Sequence, residues 1–175
     1  MAENNRVFVA LGANLGKPET AFRAALDAMP ARGVEIVAES GVWHSPAWPS
    51  GSGAPDYRNM VAEVRTGLGP GELLTLLHGL EAEAGRVRSE TNAPRPLDLD
   101  LLTFGGVVSS GWPVLPHPRL QSRAFVLLPL AEIAPGWRHP VLGLVAVDML
   151  ARLPASHVLR HRRVARGLPS RRSRV

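Results

Sequence analysis

Residues 97–101 read Leu97-Asp98-Leu99-Asp100-Leu101. Strict alternation of apolar and charged residues has the period of a β-strand and cannot be accommodated on one face of a helix. One face of that strand carries Leu97, Leu99 and Leu101, which must be buried. The other carries Asp98 and Asp100, about 6.5–7 Å apart along the chain and projecting the same way. Two carboxylates so placed repel, and one is expected to hold its proton more tightly unless a cation lies between them. Hard oxygen donors on a rigid strand suit Mg²⁺, above all where phosphate oxygens complete the coordination shell.

The same two periodicities run through the chain. Val7-Phe8-Val9-Ala10-Leu11 predicts a buried strand, followed by the glycine-bounded loop Gly12-Ala13-Asn14-Leu15-Gly16. Pro18 opens a predicted helix over 18–29, with Phe22, Ala25, Leu26 and Met29 on one face. Residues 34–43 predict a second strand and 57–66 a third. Between them, residues 45–56 hold three prolines, two glycines and three serines, the composition of a long functional loop. Residues 70–84 predict a helix with Leu73, Leu74, Leu77 and Leu80 as its stripe, and an arginine-bearing irregular stretch over 85–96 leads into the acid-bearing strand. Gly105-Gly106 predicts a turn into a hairpin partner beginning at Val107-Val108. Further helices are expected over 125–133 and 145–153. The order β-α-β-β-α-β with additions predicts an α+β fold: a ferredoxin-like βαββαβ core with additional strands and C-terminal helices.

Composition removes several classes of function. With 175 residues the chain suits one domain with a sizeable core, expected over residues 1–154. No cysteine is present, so disulfides, thiolate metal sites and cysteine nucleophiles are excluded and a reducing cytoplasm is the expected location. No run approaches the roughly 20 apolar residues of a membrane span, and the polar residues 1–6 do not read as a signal peptide. Neither a GxxxxGK[ST] loop nor GxGxxG occurs. The net charge of +5 is misleading, because residues 152–174 contain eight arginines and no acid while residues 1–151 sum to −3. Residues 155–175 are therefore expected to be a basic, disordered, solvated extension, and the acidic body argues against nucleic-acid binding.

Arg86, Arg88 and Arg95 precede the acids and Arg123 follows them. From the residues alone, two readings stand. The arginines form surface salt bridges, or they clamp a polyphosphate whose metal is held by the acids. Glu81 ends the second helix near this stretch. His117 sits in the rigid Leu115-Pro116-His117-Pro118 segment. Asn14 is placed to cap a helix or offer its amide to a ligand. Tyr57 and Asn59 share a strand face and, with Phe125, could stack on and hydrogen-bond a flat heterocycle; a half-buried sheet face is the simpler reading.

Taken together these motifs resemble one family. Val9 to Gly16, Pro55-Asp56-Tyr57-Arg58-Asn59, Leu80-Glu81 through Gly85-Arg86-Val87-Arg88, Pro94 to Asp100, Leu115 to Pro118 and Arg123-Ala124-Phe125 follow, in order, the motifs of the 6-hydroxymethyl-7,8-dihydropterin pyrophosphokinases of folate biosynthesis. The resemblance implies transfer of pyrophosphate from ATP to the pterin hydroxymethyl group, with release of AMP, by a cytoplasmic monomer acting on these two small molecules. It implies that Asp98 and Asp100 hold two Mg²⁺ ions and that Arg86 and Arg95 act on the migrating phosphates. It places Glu81, Arg88, His117, Arg123, Leu74 and Leu101 around ATP, and Asn14, Ser45, Ala47, Trp48, Tyr57, Asn59 and Phe125 around the pterin.

The chain also departs from the pattern. Residues 89–93 lack the tryptophan that the family's arginine loop often carries. Trp112 and Val114 stand where some members place polar nucleotide contacts, and Pro118 stands where some have tyrosine. A metal-dependent nucleotide hydrolase and a nucleic-acid-binding module led by the arginine-rich tail are the competing expectations.

Overall fold

The apolar residues of β1 (Val7–Ala13) are buried on both sides, as a central strand demands. The structure, a computed structural model, describes residues 5–87, 93–165 and 168. In it β1 pairs antiparallel with β4 (Tyr57–Thr66) on one side and β5 (Asp98–Phe104) on the other. The helix α1 (Pro18–Ala28) follows β1, and α2 (Pro70–Glu83) connects β4 to β5. With β2 (Val34–Glu39) against the far half of β4, the spatial order β5-β1-β4-β2 is that of the ferredoxin-like core expected from the sequence.

The predicted strand over 34–43 is broken in two. Val42–Ser45 forms a separate strand, β3, which pairs with Tyr57 to Asn59 while β2 pairs with Ala62 to Thr66. Ser40 makes the break: its Oγ accepts the Val61 N–H at 2.9 Å and donates to the Gly41 carbonyl at 2.8 Å, so a side chain takes the place of a ladder bond. Hydrophobic alternation passes straight through such a bulge and does not report it.

Both faces of the sheet are covered. Leu97, Leu99 and Leu101 join Val9, Leu11, Phe22, Leu26, Leu73 and Leu77 in a core beneath α1 and α2. On the opposite face Phe8, Val61 and Leu102 pack against α3 (Ala124–Ile133), α4 (Ala146–Ala151) and Trp137. The acids of β5 alternate with its leucines, so they share the α3 face with Leu102.

Two further expectations are corrected. Residues 107–108 form no hairpin strand; Ser109 and Leu115 make a single bridge instead, within a segment that the three prolines among residues 113–118 keep out of a ladder. The segment from residue 155 is also structured as far as it is described beyond the expected boundary at 154. Ala155–Val158 forms a helical turn, α5, and Arg162–Ala165 forms β6, which adds to the free edge of β3. An exposed backbone edge selects that pairing, and the run of arginines carries no period that would show it. Arg166 and the arginines beyond it lie outside the described residues.

Candidate active site

The start of β5 is tied to the end of α2 by one buried carboxylate. Glu81, only 2% exposed, accepts the Leu99 N–H at 2.8 Å and an Arg86 guanidinium N–H at 2.5 Å. The same Arg86 nitrogen reaches Asp98 at 2.5 Å, and Arg95 reaches the other oxygen of Asp98 at 3.3 Å. Arg86, Arg95 and Asp98 are thus one connected group, anchored below by Glu81. Asn14 fixes Arg95 from the side: its backbone N–H donates to the Arg95 carbonyl at 3.2 Å and its side-chain oxygen accepts the Arg95 N–H at 2.9 Å.

Asp100 has a different environment. His117 Nε2 lies 3.9 Å and Arg123 3.8 Å from its Oδ2, beyond direct hydrogen bonding. Burial, followed by the charge of Asp98, pushes the Asp100 carboxyl up to about 6. His117 is pushed down to about 4 by burial and then by Arg123 and Arg119. It is therefore neutral at pH 7. Its Nδ1 accepts the Arg119 N–H at 3.2 Å, which leaves the ring proton on Nε2, facing Asp100. Burial and the neighbouring Arg119 lower the Arg123 guanidinium, which stays cationic and lies 5.3 Å from the centroid of Phe125.

A carboxylate with a raised affinity for protons beside a second, arginine-paired carboxylate is a donor set that fits a hard divalent cation. Among the described residues no third acid, histidine or cysteine joins them to complete a protein-only metal site. Phosphate and water oxygens are the remaining donors, the usual circumstance for Mg²⁺.

Sheet register carries the site sideways from the acids. Asp98 pairs with Gly12, Gly12 with Asn59, and Asn59 with Trp43, so these four residues form one row on the α3 face. Asn59, 5% exposed, donates to Ser45 Oγ at 2.7 Å. Phe125, in the first turn of α3, packs against the core of the same face. Tyr57 pairs with Ser45 and occupies that face too. The loop after Ser45 is stapled at its base: Asp56 accepts the Ala47 N–H at 2.9 Å and lies 2.7 Å from His44 Nε2. These two contacts hold the Asp56 carboxyl below the usual range.

Most of the residues named from the sequence therefore converge. Arg86, Arg95, Asp98 and Glu81 form one group, Asp100, His117 and Arg123 a second, and Asn59, Ser45 and Tyr57 a third in the adjoining strands. Asn14 borders both sides, with its amide donating to the Pro55 carbonyl at 3.2 Å. Three residues stand apart. The Leu101 side chain is buried in the opposite core, Leu74 packs half-buried against that core, and Trp48 on the loop is 71% exposed. Trp112 is 65% exposed, with its indole edge over Gly71 at the start of α2. Arg88 lies outside the described residues.

Gly12 is not among the residues named from the sequence, which predicts that the chain leaves β1 at Leu11. The strand continues to Ala13. A glycine inside a strand is the signal that could have found it, since it marks a close approach of neighbouring groups. A Cβ there would lie 3.2 Å from Asn59 Oδ1.

Paired acids with converging arginines at one end of a ferredoxin-like sheet, facing a polar slot three strands wide, have the composition of a phosphoryl-group transferase site. Comparison with known proteins gives the particular family: residues 8–135 match the model of 7,8-dihydro-6-hydroxymethylpterin-pyrophosphokinase, and the chain belongs to that family. It is 44% identical over 140 residues to the 2-amino-4-hydroxy-6-hydroxymethyldihydropteridine pyrophosphokinase of Pseudomonas aeruginosa, covering 77% of this chain and 84% of that one. It is 36% identical over 152 residues to the enzyme of the same name from Synechocystis sp., covering 86% and 77%. The fold matches the solved Plasmodium falciparum HPPK-DHPS with a TM-score of 0.63 at 11% identity, over 85% of this chain and 44% of that longer one.

Proposed function

We propose that Asp98, Asp100, Arg86 and Arg95 are the residues through which this chain transfers pyrophosphate from ATP to 6-hydroxymethyl-7,8-dihydropterin, the reaction of its family. The observation that carries the assignment is the register row. Asp98, at the phosphate end, and Asn59, at the acceptor end, flank the same glycine on one sheet face. Donor phosphate and acceptor alcohol would then meet over β1, and holding both in place is most of what such a transfer needs.

Asp98 and Asp100 would hold Mg²⁺, two ions when ATP is bound. Magnesium held there would neutralise phosphate charge and help to place the polyphosphate. Arg86 and Arg95 offer planar donor forks to phosphate oxygens as negative charge shifts toward AMP. Neutral His117 and cationic Arg123 supply donors next to Asp100, on the nucleotide side. Asn59, with its amide oriented by Ser45, hydrogen-bonds the pterin edge, while Tyr57 and Phe125 flank its ring. Glu81 touches no phosphate in this scheme; it orients Arg86.

The acceptor oxygen attacks the β-phosphorus of ATP and the bond from that phosphorus to the α,β-bridging oxygen breaks. AMP leaves, and the hydroxymethyl proton passes to solvent or a phosphate oxygen. We take the chain to act on these two small molecules as a cytoplasmic monomer. The absence of cysteine suits that compartment. No helix among the described residues is long and apolar enough to cross a membrane.

The test is product analysis with ATP, Mg²⁺ and 6-hydroxymethyl-7,8-dihydropterin together. AMP and pterin diphosphate in equal amounts are expected. ADP as the nucleotide product, or ATP loss without pterin, overturns the assignment.

A further inference from the structure

The acceptor side of the site rests on a short strand. β3 has four residues and makes three pairs with β4, Trp43 with Asn59, His44 with Arg58 and Ser45 with Tyr57. A strand that short, open along its other edge, holds its place weakly. In this chain the other edge is covered by β6, which pairs Val42 with Ala165, Trp43 with Arg163 and His44 with Arg162.

A side-chain knot reinforces the pairing. Glu132 of α3 accepts the Gly41 N–H at 3.0 Å and the Trp43 indole N–H at 3.1 Å, and it is ion-paired with Arg163. One carboxylate therefore joins α3, β3 and β6. Two residues beyond Trp43 is Ser45, whose Oγ receives the Asn59 amide. The line of contact runs from Arg163 through Glu132 and Trp43 to Ser45 and Asn59. The two acids, Asp98 and Asp100, lie on β5, at the opposite end of the sheet order β5-β1-β4-β3-β6.

We propose that the C-terminal strand is a positioning element for the acceptor, with Arg163 and Glu132 holding β3 so that Ser45 and Asn59 keep their orientation. The inference rests on the reading of Asn59 and Ser45 as pterin residues. It gives the basic segment a task within the catalytic unit, in place of a free extension or a nucleic-acid arm. Arg163 is a positioning residue, since its effect on substrate passes through Glu132, Trp43, Ser45 and Asn59.

The experiment compares the full chain with Arg163→Ala, Arg163→Lys and a form ending at Leu159, which removes β6. The shortened form also loses Leu168, which packs against the core beneath α1 and α2, so the point variants are read beside it. KM for pterin and KM for ATP are measured for each, with Asn59→Ala as reference. Loss of a charge-assisted contact predicts a pterin KM about tenfold higher for Arg163→Ala and at least that for the shortened form. ATP KM should stay within about twofold, and Arg163→Lys should recover most of the loss because it keeps the charge. An unchanged pterin KM in the shortened form overturns the proposal, and so does a parallel rise for both substrates. If Asn59→Ala itself leaves pterin KM unchanged, the pterin-slot reading fails; if Asn59→Ala is impaired and the β6 variants are not, only the strand inference fails.

Discussion

Asp98 of β5 and Asn59 of β4 are register partners of the same residue, Gly12 of β1. Neighbouring strands lie about 4.8 Å apart, so the backbones that carry the two side chains are about 10 Å apart, and the residue between them has no side chain. The next row repeats the pattern with a small side chain, Ala10 between Asp100 and Val61. The trough is therefore a property of β1, the strand that contributes no functional side chain to it.

Filling that trough should impair the acceptor and spare the nucleotide. A Cβ on Gly12 would stand 3.2 Å from Asn59 Oδ1, while the other end of that amide is held at 2.7 Å by Ser45. Asn59 can yield only by weakening its bond to Ser45. Gly12→Ala is expected to raise pterin KM about tenfold through a disturbed hydrogen bond, with ATP KM nearly unchanged. Gly12 does not adopt a positive φ, so the alanine backbone is unstrained and any fall in the thermal midpoint should be no more than the weakened Asn59–Ser45 bond accounts for. A normal pterin KM would show that Asn59 is not set by this contact.

Asp100 and His117, both shifted, give stability of opposite sign with pH. Asp100 holds its proton up to about pH 6 in the folded chain, whereas the unfolded chain releases it near 3.8. Its contribution is complete below 3.8 and is lost as pH rises through 6. His117 stays neutral down to about pH 4, whereas the unfolded chain protonates it near 6.5. Its contribution is present above 6.5 and is lost as pH falls toward 4. Between pH 4 and 6 the two oppose. His139 and His161, also lowered by burial, add a climb with pH of their own, so the comparison is between variants and parent: without divalent metal Asp100→Asn should steepen the climb of the thermal midpoint between pH 4 and 6, and His117→Gln should flatten it. The same slope in both variants would contradict the assignment.

How much of this was legible beforehand depended on whether the deciding interaction was local. The β5 acids and their repulsion followed from alternation alone, because period two fixes a face whatever the partner strand. The helices α1 and α2 announced themselves through Pro18, Pro70 and their leucine stripes. The break at Ser40 did not, since it depends on a hydroxyl replacing a ladder bond on Val61, twenty-one residues away. β6 was hidden for the same reason: Arg162 and Arg163 form a strand because β3 offers them an edge. In the site, Asp98, Arg86 and Arg95 stood near one another in sequence and the structure keeps them together. Gly12 became visible only when register placed it between Asp98 and Asn59. Leu101 illustrates the reverse case. The alternation that exposed Asp100 also required Leu101 to face the core, and there its side chain is 4% exposed.

Arg95 should act on turnover more than on affinity. Its 3.3 Å contact to Asp98 is longer than that of Arg86, and its backbone is fixed on both sides by Asn14, so its head can turn from carboxylate to phosphate. A donor engaged chiefly as charge moves is worth roughly a hundred- to a thousandfold in kcat. Arg95→Ala is expected to lose about that much in kcat, with ATP KM changed by less than about threefold. A rise in ATP KM with kcat preserved would recast Arg95 as a ground-state phosphate contact.

Asn14 is the last residue whose role the structure sharpens, and it was expected to face the pterin. Its side chain is 3% exposed, and both ends of its amide are taken up by backbone groups, the Pro55 carbonyl and the Arg95 N–H. Pro55 ends the loop that carries Ala47 and Trp48, and Arg95 ends the irregular stretch before β5. One amide therefore spaces the acceptor loop from the phosphate-side arginine. Asn14→Ala leaves a carbonyl and an N–H without these partners in a buried setting, which costs about 1–3 kcal/mol. For a chain of this size that is a fall of several degrees in the thermal midpoint. The catalytic consequence should be larger than this loss of stability suggests, because Arg95 and the acceptor loop lose their common support. Asn14→Asp separates the contributions: it keeps the acceptor for the Arg95 N–H but sets a carboxylate against the Pro55 carbonyl. The expected ranking of pterin KM is parent below both variants. Arg95-dependent kcat should fall more in Asn14→Ala than in Asn14→Asp. The double variant Asn14→Ala with Arg95→Ala should lose little kcat beyond Arg95→Ala alone, because residues acting through one another are not additive. Fully additive losses in that cycle would show that Asn14 does not act through Arg95.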